Sequence, residues 1–547
     1  MFNAFSCFFI CQRFLSYAGH GRNIIALTLS YKERNEMQFN VITQELGTDE
    51  ILYDGSAEQP VDADITLPDY CPDIRRVLKC LITPRISGVQ TAGDRATADG
   101  TAVVRVIYVG ENGRISCFEQ NYPFSKYVEL KSSDENCCVN VRARTDYANC
   151  RAVSPRRLDV HGMISVSFRV SCRKRDEIIT EAQGGGIQMQ RQTVPAVSAV
   201  GAVERAFPMS EVIELPGDNP PVNCIIRAGA VALPSDIKVI SNKLLVKGEL
   251  IVNVLYCSDE SDSTPVAVEH SMPISQIVEL EGVDEDCICD VRLVVTSLDV
   301  IPKSDSSGEN RLLDISARVC ACASACREIE LPVIVDTYST SCELKTDQRS
   351  VDFCKHIDSF SETFLCRNTV DLSGSRVERI LSMWCSDVVQ SCAKRDSDMV
   401  ISGTVMTHFI YIDKDSQPGY AERQIDFEYK RALKEDAERL KCDPEIQVCA
   451  CSVSGTSDGK ADVKIELKVC AEVYICDTRR IITSIEPVES SERQKKASTL
   501  TIYFADSGER LWNIARHYNT TVEAIQQENS ITGESVNEKR MLLIPGV

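Results

Sequence analysis

The sequence is poor in the residues from which catalytic centres are usually built: six histidines and two tryptophans among 547 residues, with aromatics at only 6%. His161, His270, His356, His408 and His517 are scattered, and none stands beside a recurring Ser or Cys. No nucleophile–base set is legible, so the chain is expected to be a non-enzyme with no catalytic residues. Positive charge is also short: 60 Lys and Arg against 80 Asp and Glu leave a formal net charge of −20. That balance opposes a phosphate backbone, and nucleic acid is not an expected partner. No stretch reaches the ~20 apolar residues of a transmembrane segment. The glycine run Gly184-Gly185-Gly186 lacks the Lys-Ser/Thr end of a phosphate loop and reads as a joint.

What is present is enough apolar sequence for several cores. Hydrophobic residues make up 43% and charged residues 26%, and at ~150 residues per domain the length suggests three or four units. The 26 cysteines fall below the density of small disulfide-stapled secreted domains, which points to a reducing cytosol and mostly free thiols. The pairs Cys287-Ile-Cys289, Cys320-Ala-Cys322 and Cys449-Ala-Cys451 lack the wider gap usual in zinc sites. In strands, that spacing turns both sulfurs to one face, and core filling is the expectation, with no metal and no cofactor. Asp69 and Asp73 in LPDYCPDI read as structural caps rather than cation ligands.

Residues 1–36 are Phe-rich and aperiodic, whereas strand patterning begins after Met37. Met37 is therefore the expected functional start and 1–36 a non-native extension, the alternative being a short amphipathic membrane-touching arm.

Three strand-like segments recur: Gly100-TAVVRVIY-Val109, Gly248-ELIVNVLY-Cys257 and Gly403-TVMTHFIY-Ile412. Tyr108, Tyr256 and Tyr411 are 148 and 155 residues apart. The same offsets carry Ile74, Val77 and Leu78 onto Val222, Ile225 and Ile226, then onto Val377, Ile380 and Leu381. These i, i+3, i+4 triplets predict one short amphipathic helical turn per repeat. Alternating runs from Leu158, Leu312 and Asp462, bounded by Ser/Asp/Gly clusters, predict antiparallel strands. The fold class is mostly β, with three sandwich-like β repeat domains in tandem over 37–183, 184–338 and 339–488, a charged linker at 489–498 and a smaller unit at 499–547.

In the last unit a strand from Thr499 to Phe504 meets a turn at Asp506-Ser507-Gly508, a helix begins at Glu509, Thr520 and Glu523 form a capping-box pattern, and a strand closes at Met541 to Ile544. Leu511, Ile514 and Ala515 share one face of the first helix, and the order is βααβ. Trp512 reads as packed against the helix face rather than as a sugar-stacking platform.

The threefold unit, opening on LPDYCPDIRRVL, resembles the SPOCS repeat domains of spore coat and cortex assembly proteins. Gly508-ERLWNIA-Arg516, followed by Asn529 and Leu542-LI-Pro545, resembles a LysM domain. Together they resemble the SipL-like family of spore morphogenetic proteins. The resemblance implies a LysM groove lined by Asp506, Ser507, Gly508, Glu509 and Arg510, with Asn529, Ser530, Ile531 and Thr532 opposite. Such grooves usually take N-acetylglucosamine polymers, hence peptidoglycan. Here Glu509 and Arg510 replace the usual Asp and small hydroxyl residue, and Lys539 replaces a turn glycine. Long cations at the groove's borders suit a protein surface better than a sugar ring. The resemblance further implies a mother-cell cytoplasmic scaffold at the forespore surface, partnered with the coat-basement ATPase SpoIVA. The alternative is a cell-wall protein whose LysM holds peptidoglycan oligomers while the repeats act as spacers.

Overall fold

The computed structural model describes residues 40–130, 137–258, 264–435, 438–457, 459–488 and 500–546. The expected start at Met37, the extension 1–36 and the linker 489–498 lie outside the described residues.

The period-two patterning yields a chain that is mostly β, built from three like modules and a small C-terminal unit. The first module comprises β1 (Asn40–Thr66), β2 (Ile74–Ala92), β3 (Arg95–Gly110), β4 (Ile115–Glu129), β5 (Cys137–Ser154) and β6 (Arg157–Gln183). They form two antiparallel sheets, ordered β1-β6-β5 and β2-β3-β4. The second repeats the plan with β7 (Ile187–Glu214), β8 (Cys224–Ile240), β9 (Lys243–Cys257), β10 (Val266–Glu279), β11 (Cys287–Lys303) and β12 (Leu312–Ser339), ordered β11-β12-β7 and β10-β9-β8. The third has β13 (Leu344–Asp371), β14 (Val377–Arg395), β15 (Asp398–Asp413), β16 (Pro418–Ala432), β17 (Leu440–Cys442), β18 (Glu445–Ser457) and β19 (Lys460–Pro487). Here β14-β15-β16 form one sheet, and β13, β17 and β18 pair with β19 in the other.

Each module buries its own core between the two sheets. In the first, Leu158, Val160, Ile164, Val166, Phe168 and Val170 of β6 meet Val104, Val106 and Tyr108 of β3. Full burial of side chains of this size contributes roughly 1.5–3 kcal/mol each.

The triplets that predicted helical turns form no helix: they fall at the starts of β2, β8 and β14, with Val222 just ahead of β8. The strands are bulged there, with register shifts between Ile74 and Arg76 and between Val77 and Lys79 in β2, at both matching places in β14, and at the second, between Ile225 and Arg227, in β8. An extra residue at a bulge breaks strict alternation and leaves a spacing that imitates a helix. Val77 then packs on its own module's core while Leu78 points to the neighbouring modules. A 3-10 turn, Ser373–Ser375, precedes the third triplet.

The repeated glycine has a steric reason. A Cβ on Gly100 would lie 2.6 Å from the Arg85 carbonyl oxygen, one on Gly248 2.4 Å from that of Leu233, and one on Gly403 2.1 Å from that of Val389. The strand crossing is too close for any side chain at these three equivalent places.

The modules are fused rather than strung in a row. Ile107, Leu255 and Ile410, equivalent in the three repeats, share one buried cluster with Leu78, Ile226 and Leu381. At the far ends of the long strands, the equivalent residues Ile178, Val333 and Ile481 share a second cluster. Ile179, Ile334 and Ile482 share a third. Apolar residues presented on the outward faces of the three modules thus meet about a pseudo-threefold axis. The Gly184–Gly186 joint is a hydrogen-bonded turn with φ values of 104°, 55° and 63°, in which Gly186 accepts from the Thr340 N–H at 3.1 Å.

The cysteines depart from the expectations in two places. Cys354 and Cys476, directly opposed on β13 and β19, form a disulfide, and the other 22 described cysteines are not disulfide-bonded. Cys287 and Cys289 do pack on a module core, and so does Cys451. Cys320 and Cys322 do not fill a core: Val319, Ala321 and Ala323 take the inward positions of β12, so the two thiols project from the opposite face.

Candidate functional site

The C-terminal unit is β20 (Leu500–Ala505), α1 (Leu511–Tyr518), α2 (Val522–Asn529) and β21 (Arg540–Pro545), the βααβ order read from the sequence. Leu511, Ile514 and Ala515 are buried with Ile525, Val536, Leu542 and Ile544. The first helix starts at Leu511, two residues later than expected, with extended Arg510 ahead of it. The second is capped by Thr521, whose hydroxyl accepts from the Ala524 N–H at 3.0 Å. Thr520, the expected cap, is buried; its N–H donates to the Ala515 carbonyl at 3.0 Å and closes α1.

The first-loop residues expected to line the groove are held against the segment that follows the second loop. Arg510 and Ser535 form an antiparallel bridge. The Gly508 N–H donates to the Val536 carbonyl at 2.7 Å, and the Leu511 N–H to that of Glu534 at 2.9 Å. Gly508 has φ +87°, a conformation that favours glycine. Several polar groups in this region serve the loop itself. Glu509 accepts from the Tyr503 hydroxyl at 2.6 Å and from the Asp506 N–H at 3.1 Å; this carboxylate partner raises the Tyr503 phenol to about 12. The Ser507 hydroxyl donates to the Asn537 carbonyl at 2.9 Å. Asn529 acts as a bracket between α2 and β21, its amide donating to the Leu543 carbonyl and accepting from the Leu543 N–H, each at 2.7 Å.

Arg510, Ser530 and Thr532 are exposed, while Ile531 packs on the unit's core. Lys539 pairs with Asp506 at 2.9 Å, and this ion pair raises the lysine above its ordinary value. The two cations are thus not alike: Lys539 is matched by Asp506, and Arg510 is exposed beside its bridge to Ser535.

Two further features were not read from the sequence. The first is that α1 docks on the end of β12. Trp512 donates its indole N–H to Asp336 at 2.8 Å, and Arg516 reaches both oxygens of the same carboxylate at 2.7 and 2.9 Å. Tyr338 sits edge-on to Trp512 with ring centroids 5.0 Å apart and donates to the Thr520 carbonyl at 2.7 Å. Trp512 is therefore packed, but partly against the second module. The second feature is an apolar row on the outer face of the two-stranded sheet. Leu500, Ile502 and Phe504 of β20 and Met541 of β21 are 45%, 59%, 69% and 50% exposed. Phe504 and Met541 lie directly opposite each other. Apolar residues on both faces of β20 were the available sequence signal.

Among the described residues no helix is long and apolar enough to cross a membrane. Comparison with known proteins matches residues 73–153 and 222–302 to the SipL SPOCS domain and residues 506–545 to the LysM domain. No curated protein and no solved structure matches the chain. The SPOCS matches associate the chain with sporulation, the LysM match gives it a domain of peptidoglycan-binding type, and both are binding rather than catalytic domains. With SPOCS domains ahead of a C-terminal LysM domain, the chain is similar in architecture to SipL-type sporulation proteins.

Proposed function

We propose that the protein is a non-enzymatic scaffold of spore envelope assembly, acting from the mother-cell cytoplasm at the forespore surface. The fused repeats, here taken as 37–183, 184–338 and 339–488, supply a rigid platform. The LysM then docks a coat morphogenetic protein, proposed to be the coat-basement ATPase SpoIVA. The observation that carries the reading is the exposed row Leu500, Ile502, Phe504 and Met541. Clustered exposed aromatic and aliphatic side chains favour a protein interface, whereas a shallow sugar site needs only the groove. The groove residues from Asp506 to Arg510 and from Asn529 to Thr532 border this surface in sequence, with Arg510 as a local charged contact. Helix α1 contributes little to partner contact, because Trp512 and Arg516 are already engaged with Asp336.

A second reading rests on the LysM match: the groove binds peptidoglycan or N-acetylglucosamine oligomers, and the repeats are spacers. A pull-down from sporulating cells with the full chain, beside a peptidoglycan sedimentation assay, separates the two. Recovery of the coat ATPase, lost on Ile502→Ser with Phe504→Ser, supports the scaffold. Retention on peptidoglycan that chitin oligomers abolish, with no protein recovered, supports the wall-binding reading instead.

A further inference from the structure

The outward-facing thiols of β12 meet a carboxylate from the neighbouring strand. Glu204 of β7 lies directly opposite Cys322, and Cys320 is two residues away on the same face. One ligand atom from each of the three lies within 4.8 Å of the other two. The two sulfurs are 4.0 Å apart. Two thiolates ~2.3 Å from one tetrahedral zinc ion would be separated by about 3.8 Å, so the pair is already close to the spacing a shared metal imposes.

The surroundings come from a different module. Asn140 of β5 hydrogen-bonds the Glu204 carboxyl, which desolvation pushes above its ordinary value although the residue as a whole is exposed. Cys138, two residues from Asn140 on β5 and so on the same strand face, lies outside the 4.8 Å group, and its charge acts on Cys322. The hydrogen bond from Cys322 lowers the Cys320 thiol below its ordinary value. Two soft sulfur donors and one carboxylate suit zinc rather than magnesium or calcium, which take oxygen ligands.

The fold does not ask for sulfur here. At the equivalent places β6 carries Ser165 and Ser167, and β19 carries Lys468 and Cys470. Because β6 keeps its shape with serine at both positions, packing alone does not require the Cys-Ala-Cys of β12.

We propose that Cys320, Cys322 and Glu204 form a structural zinc site, with Cys138 of the first module as the fourth ligand, so that the metal staples the first two modules together. The site reverses the expectation that this Cys-Ala-Cys pair fills a core and binds no metal. On binding, the thiols lose their protons to water and the zinc exchanges its water ligands for sulfur and carboxylate; no electron is transferred.

The test uses the full chain kept under a phosphine reductant, loaded with Zn2+, desalted and subjected to elemental analysis, with Co2+ as a spectroscopic probe. About one zinc per chain is expected, together with a sulfur-to-cobalt charge-transfer band. Cys322→Ser and Cys320→Ser should each lower zinc affinity at least a hundredfold, Cys138→Ser and Glu204→Gln at least tenfold, and Cys449→Ser should change nothing. Far-ultraviolet circular dichroism checks that each variant keeps its sheets. Zinc should also raise the thermal midpoint of the wild type but not of Cys322→Ser. Absence of bound metal, or metal retained undiminished in Cys320→Ser and Cys322→Ser, would overturn the site. Undiminished binding by Cys138→Ser would overturn the staple between modules.

Discussion

Asp336→Ala should release the LysM from the second module while leaving both folded. The carboxylate accepts from the Trp512 indole at 2.8 Å and from Arg516 at 2.7 and 2.9 Å. A hydrogen bond to a charged group contributes about 1.5–3 kcal/mol. The Arg516 contact is worth less, on the order of 0.5–1 kcal/mol, because the arginine is 55% exposed and solvent screens the pair. The edge-on Tyr338–Trp512 contact survives the substitution and limits the loss. A net cost of about 2 kcal/mol follows, which reduces the docking equilibrium constant roughly thirtyfold. Tryptophan fluorescence reads the event, because the chain has only two tryptophans and Trp384 is buried in the cluster shared by the modules. Trp512 emission should shift to the red and acrylamide quenching should increase, with circular dichroism unchanged. Asp336→Asn, which keeps an acceptor for the indole, should show a smaller shift. Unchanged emission and quenching in Asp336→Ala would refute the docking and, with it, the claim that α1 is engaged.

Three other outcomes follow from the same geometry. Gly248→Ala should destabilise the second module by about 1–3 kcal/mol through overpacking against the Leu233 carbonyl, seen as a lower thermal midpoint; an unchanged midpoint would contradict the close crossing. Asn529→Ala leaves the Leu543 N–H without its 2.7 Å acceptor and should cost about 1–3 kcal/mol of LysM stability, measurable as faster amide exchange at Leu543, whereas wild-type exchange would show that the bracket is dispensable. His408, stacked on Trp384 and bonded to Ser386 and Tyr420, is depressed to about 4 by desolvation; its folded value lies below its unfolded one, so stability is full above pH ~6.5 and falls as the pH drops towards 4, by on the order of 3 kcal/mol. His356 acts in the opposite sense, raised by Glu472 and losing its contribution as the pH rises, so the comparison to make is His408→Gln against wild type in acid titration. An equally steep decline in both would exclude His408 as the cause.

The fold class, the threefold repetition and the LysM order were legible because they depend on local periodicity and on a glycine that sterics demand. The helical turns were misread because a bulge makes Ile74, Val77 and Leu78 imitate helical spacing, and only strand pairing distinguishes the two. The fusion of the modules was hidden for a related reason: Ile107 and Tyr108 are both buried, one between modules and one within, and a single strand does not say what covers its second face. In the candidate site the spacing located the two loops, yet it could not tell that Asn529 and Glu509 spend their polar groups on the backbone and on Tyr503. The docking of Trp512 on Asp336 joins residues 176 positions apart, beyond any local signal. The Cys320–Cys322 pair was assigned to the wrong side of its strand because alternation fixes which residues share a face, not which face is inward.

The scaffold reading is tested most directly by measuring binding of the full chain to purified coat-basement ATPase and, in parallel, to sedimented peptidoglycan. Binding to the ATPase should weaken by roughly 1–3 kcal/mol with Arg510→Glu and by a comparable amount with Phe504→Ser, with peptidoglycan retention absent or unaffected by either. Tight peptidoglycan binding that chitin oligomers compete away, with no measurable affinity for the ATPase, would contradict it.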